Sequence, residues 1–203
     1  MHPSPSISAE HLATIILLDE LELQCHVAES AIARLRIAAE AWKVNMHGAG
    51  RPVDIVSDCI VCLSAAAAIY RLLQPGERKG NRLKVSKKRC KALRRALDYP
   101  PTNEIGKQGT RNSWEHMDER IDAIFVEGKY RSFSPVHVSP RPPSDETFVH
   151  HHFDPIAMTI RHGADSINLE LLSAECDNLL EAKKWVAFEL VSGEDAPYPG
   201  SAS

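Results

Sequence analysis

The chain has 203 residues, of which 43% are hydrophobic and 25% charged, with a formal net charge of −3. That balance fits one principal globular domain with a small appendage and excludes a disordered or fibrous chain, while the bulk charge names no partner. The five cysteines, Cys25, Cys59, Cys62, Cys90 and Cys176, are odd in number, irregularly spaced and preceded by no signal peptide, the pattern of reduced thiols in a cytoplasmic protein. The longest apolar stretch, Cys59 to Tyr70, is too short and too alanine-rich to span a bilayer, so no membrane association is expected.

Residues 1–7 form a Pro/Ser leader, and Ser8 can cap a helix that starts after it. From Ala9 to about Asn45 there is no Gly or Pro, and Leu18, Leu21, Cys25, Ala28, Ile32, Leu35, Ala39 and Trp42 recur at alternating steps of three and four. This is a heptad-like seam on one very long helix. Gly48 and Gly50 end it, and Pro52 suits the first turn of a second helix, whose seam of Ile55, Cys59, Cys62, Ala66, Ile69 and Leu73 runs up to Pro75-Gly76. A short loop between them predicts an antiparallel pair. The small residues Ala65 to Ala68 allow a neighbour to come close and mark the second helix as the buried centre. Cys59-Ile-Val-Cys62 matches CxxC, but both cysteines coincide with seam positions and no second ligand pair stands at metal spacing, so a core role is expected.

Arg71 to Arg95 holds eleven of the chain's 24 basic residues against the single acid Glu77. Ser86 can cap a short basic helix from Lys87 to Leu97, with Cys90, Leu93 and Leu97 facing inward. Arg82, Lys84, Lys87, Lys88, Lys91, Arg94 and Arg95 then form an electrostatic footprint for a phosphate backbone, favouring a polyanion such as a nucleic acid as partner. A solvated face balanced by acids elsewhere would show the same composition.

Asp98 to Thr110 is a Pro- and Gly-containing loop leading into a second notable stretch, TRNSWEHMDERIDAIF from Thr110 to Phe125. Asn112 is a favoured N-cap and Glu115 three residues later completes a capping box, so a helix is predicted from Ser113. Trp114, Met117, Ile121, Ile124 and Phe125 make its apolar stripe, leaving His116, Glu119, Arg120 and Asp122 on the polar side. Arg111 and His116 flank the helix N-terminus, where free N–H groups and the dipole favour an anion.

Arg111, Asn112 and His116, with four residues between the arginine and the histidine, resemble the active-site signature of HEPN domains, and EHMDERID with its upstream basic segment is similar to a group of uncharacterised bacterial proteins of that superfamily. The resemblance implies an all-helical bundle, usually a homodimer with two motifs facing each other. In active members it implies metal-independent RNA cleavage, and in others a non-catalytic module that binds a nucleotide or a regulatory protein partner. The chemistry is coherent. A histidine with a pKa near about 6.5 can exchange a proton with the ribose 2′-OH or the leaving oxygen at neutral pH. A guanidinium can hold the phosphate with paired donors, so His116 and Arg111 take these roles and Asn112 orients the phosphate or caps the helix. Glu115, Asp118, Glu119 and Arg120 are supporting residues, and the acids among them would also repel a long RNA. No cofactor or metal is expected.

Lys129 to His152 reads as irregular, because Pro135, Pro140, Pro142 and Pro143 forbid a helix. Adjacent histidines point in different directions in an extended chain, so His150-His151-His152 with Asp154 reads as a surface loop rather than a metal site. It could still fold over the motif helix and contribute a second histidine. Ala157 to Arg161 and Ser166 to Leu171 resemble a hairpin around a Gly-containing turn, and Ser173 can cap a final helix to about Val191. The expected fold is mainly α. A helical bundle over 8–128 is followed by an irregular Pro-rich loop over 129–153, a small β-hairpin and terminal helix over 154–192, and a disordered tail over 193–203.

Overall fold

The structure, a computed structural model, describes residues 9–45, 50–75, 79–99, 104–107, 122, 126, 128, 131–162 and 165–192. Among these, helix α1 spans Ala9–Val44, α2 Pro52–Leu73, α3 Gly80–Ala96 and α4 Leu169–Ser192, and a four-stranded sheet of β1 (Ser132–Val138), β2 (Thr147–Asp154), β3 (Thr159–His162) and β4 (Asp165–Asn168) lies between α3 and α4 in the chain. The mainly α fold is as expected, but the sheet is larger than a hairpin.

The two long helices follow directly from their apolar spacing. Every seam residue of α1 from Leu18 to Ala39 is buried, as are Ile55, Cys59, Cys62, Ala66, Ile69 and Leu73 of α2. Helix α1 packs between α2 and α4. Its Arg36 pairs with Glu170 at the start of α4, while Asp19 and Glu22 near its own start pair with Lys183, so α1 and α4 run antiparallel. By length and composition α2 is apolar enough to cross a membrane, which the Cys59–Tyr70 run by itself is not; half of that apolar stretch is buried inside the bundle. Cys59 and Cys62 lie in this interior, where burial raises both thiols, Cys62 to about 12, so neither ionises near neutral pH.

Helix α3 starts seven residues before the expected Lys87. Ser86 does not cap it but lies inside it, 2% exposed, because Ser86, Cys90 and Leu93 form one continuous inward face. The turn that begins it needs a left-handed residue, and Gly80 supplies one at φ +61°. Helix α4 likewise starts before the expected Ser173. Asn168 is the cap, its Oδ1 accepting the Leu171 N–H at 3.0 Å, and Ser173 sits within the helix, donating to Glu29 of α1.

The expectation of an irregular loop over 129–153 is overturned. Strands β1 and β2 occupy most of it, paired in parallel in the order β1-β2-β3-β4, with β2 to β4 antiparallel. Pro135 is compatible with this because β1 is an edge strand, where a missing N–H breaks no inner ladder. Parallel neighbours ordinarily need a crossover of about a dozen residues or more. Here residues 139–146 suffice. Those eight residues, with Pro140, Pro142 and Pro143 among them, bend over 139–141 and end in a turn in which the Thr147 N–H donates to the Ser144 carbonyl at 2.9 Å, bringing the chain back to the start of β2. The sheet's inner face carries Phe153, Ile160 and Ile167 into the core shared with the helices, and β1 and β2 lie against α2.

Candidate nucleic-acid interface

Helix α3 carries eight basic residues and no acid among its 17 positions. At about 100° per residue, Lys84, Lys87, Lys88, Lys91, Arg94 and Arg95 share roughly a third of its circumference, opposite Ser86, Leu93 and Leu97. Burying that opposite side fixes the cations outward: Lys84, Lys87, Lys88, Lys91 and Arg95 are exposed. Among the described residues no ion pair holds Lys84, Lys87, Lys91 or Arg95. Of the expected interface only Arg82 departs, exposed near the start of the helix but off the stripe.

At the C-terminal end of α3 the stripe runs into an open concavity of about 420 Å³ lined by Lys91, Arg94, Arg95, Asp98 and Tyr99. Arg94 is held in place there by a 2.9 Å hydrogen bond to Gln74 at the end of α2, and Tyr99 is turned back by its N–H bond to the Arg94 carbonyl. Two arginines in the last turn also complement the negative end of the helix dipole. Sequence reading did not single out Asp98 and Tyr99. The clue was the left-handed Asp98 at φ +45°, which closes the turn and has no signature in the sequence beyond Asp being tolerant of it.

Beyond this concavity the chain is pinned before it reaches the Arg-Asn-His stretch. Glu175 of α4 accepts the backbone N–H groups of Glu104 and Ile105, while Glu104 accepts from the Asn168 N–H and from Lys107 Nζ. Ile105 is fully buried, and burial raises the Glu175 carboxyl above its ordinary range. The chain leaves this anchor at Lys107, four positions before residue 111. Arg111, Asn112, Glu115, His116, Asp118, Glu119 and Arg120 lie outside the described residues, as does the tail over 193–203.

The histidine run is not a surface loop. It lies in the inner strand β2, with His150 and His152 buried at 3% and 7% exposure. His152 donates through Nε2 to the Ser139 carbonyl at 2.9 Å, and His137, its partner in β1, donates through Nε2 to the Arg141 carbonyl at 3.0 Å. The two rings meet edge to face at 5.0 Å, beneath the proline-rich crossover. Burial lowers the pKa of His152, and neighbouring His137 and Arg161 lower it further. Asp154 is equally committed, accepting from the Ile156 and Ala157 N–H groups and pairing with Arg161 at 3.1 Å. Among the described residues no group of three His, Cys, Asp or Glu side chains could hold a metal ion.

Comparison of the chain with family models, curated proteins and solved structures gave no match.

Proposed function

We propose that this chain is a HEPN-like RNA-binding protein that holds the RNA backbone along α3 and cleaves it, without a metal, through Arg111, Asn112 and His116, acting in the cytoplasm as a homodimer. The observation that carries the RNA half is the stripe of exposed Lys84, Lys87, Lys88, Lys91 and Arg95, with half-buried Arg94 beside them, on a helix with no acid. The chemical half rests on the Arg-Asn-His resemblance. Such a stripe attracts a polyanion by releasing its counterions, so affinity must fall steeply with salt.

The test of binding is a titration of single-stranded RNA at several salt concentrations with wild type and Lys84/Lys87/Lys91→Ala. Losing three phosphate contacts is expected to flatten the slope of log K against log salt by about 2. An unchanged slope would remove α3 from the interface. The test of cleavage is incubation of wild type and His116→Ala with total cellular RNA in EDTA. Fragments ending in 2′,3′-cyclic phosphate from wild type and not from the variant are the expected result; no cleavage by either folded protein refutes the nuclease.

A second reading is a non-catalytic module that binds a nucleotide, and the concavity at the end of α3 favours it. Its volume of about 420 Å³ is that of a small-ligand pocket, and Lys91 and Arg95 can take a phosphate beside the Tyr99 ring. Saturable binding of a mononucleotide, lost in Arg95→Ala, with no cleavage of RNA is the outcome that selects it.

A further inference from the structure

A groove of about 600 Å³ runs between α1 and α3 with α4 at one end, on the side of α3 next to the basic stripe. Leu17, Leu93 and Val186 contribute to its walls, and its α3 rim carries Val85, 68% exposed, together with Lys88 and Arg89. On the α1 side Leu12 and Ile16 continue the apolar surface beyond the groove, 52% and 59% exposed. An apolar surface of this extent, rimmed by the cations of Lys88 and Arg89, marks a place where another molecule sits.

We infer that this groove is the docking site for an acidic amphipathic helix of another protein. Three observations choose that occupant. From Val85 to Ala96 the α3 wall rises about 16 Å, three turns of a helix laid alongside, and the small side chains of Ala92 and Ala96 let a helix backbone come close. Among the described residues no acid lines the groove, and α3 has none, so the complementary partner is negative. A second copy would set two such helices, each with eight cations, against each other. A single acyl chain fits poorly, because exposed Ala13, Val85 and Ala92 show the groove open to water along its length.

The proposal does not rest on RNA binding and is tested on the protein alone. The probe is a fluorescent 15-residue helix with Leu at i, i+3, i+4, i+7 and i+11 flanked by Glu, compared with the same peptide carrying Lys for Glu. The acidic probe is expected to bind saturably, and both Ala92→Trp, which fills the groove from an exposed position, and Lys88→Glu are expected to weaken it by about tenfold or more. Circular dichroism confirms that each variant is folded, and Lys88→Glu serves as the test if Ala92→Trp is not. Equal binding of the two peptides, or binding indifferent to the folded variants, overturns the proposal. So does displacement of the probe by palmitate at equal concentration, which assigns the groove to a lipid, or a wild-type dimer in sedimentation that Ala92→Trp converts to monomer, which assigns it to a second copy.

Discussion

The outward face of α3 and the outer face of the sheet both concentrate polar and ionisable residues, yet they use them in opposite ways. On the sheet, His137 and His152 donate to crossover carbonyls and Asp154 holds two backbone N–H groups and a guanidinium. These groups are partnered and half-buried or buried, as polar groups in an interior must be. On α3, Lys84, Lys87, Lys91 and Arg95 are exposed, and no ion pair among the described residues holds them. The difference separates structure from function better than residue type does. A histidine run beside an aspartate reads as a surface loop in one dimension and proves to be a fastening within the sheet, whereas the lysine-rich helix reads as a phosphate-binding face and keeps its cations exposed.

Substitutions should divide along that line. The largest expected effect is on the sheet: Asp154→Ala removes a buried carboxylate that holds two backbone N–H groups and the Arg161 guanidinium, costing about 3 kcal/mol and lowering Tm by roughly 6–12 °C. A thermal melt within a degree or two of wild type would mean that Asp154 is as dispensable as a surface charge.

The pH dependence comes next. Because the folded pKa of His152 lies below that of the unfolded chain, the unfolded state binds the proton more readily. Stability is therefore complete above the ordinary histidine pKa of about 6.5 and declines as the pH falls through it to the depressed folded value. Asp154 opposes the shift and His137 and Arg161 reinforce it. Urea unfolding between pH 7 and pH 5 is expected to lose part of its slope in His152→Gln, whose amide can still donate to Ser139. An identical slope would place the pH sensitivity elsewhere. The smallest effect belongs to α3. Lys84/Lys87/Lys91→Ala is expected to change stability by no more than about 0.5 kcal/mol per position, even as it flattens the salt dependence of RNA binding. A variant that unfolds like Asp154→Ala would erase the distinction between the two faces.

The helical half of the molecule was readable because its information is local. A seam such as Leu18-Leu21-Cys25-Ala28 repeats every three and four residues whatever it packs against, and the bundle buries it. The cationic character of α3 was equally plain from composition, although its start was not: its first turns carry polar Ser86 on the inward face, and Gly80 works through φ rather than through pattern. Strands β1 and β2 were missed for a different reason. Four prolines argue against regular structure in any single segment, and only the sheet order shows Pro135 on an edge and the other three in a short crossover. The fastening of His152 to Ser139, 13 residues away, and of Glu175 to Glu104, 71 away, leaves no periodic trace at all.

By itself, then, the sequence determined the elements whose cause lies within a few residues: the long helices with their buried seams, the basic stripe, and the Arg111-Asn112-His116 motif as a chemical possibility. Tertiary structure decided which polar groups are consumed. Desolvation and hydrogen bonding depend on what the chain brings close in space, and the parallel pairing of β1 with β2 and the docking of residues 104–107 on α4 bring together groups that no spacing along the chain connects.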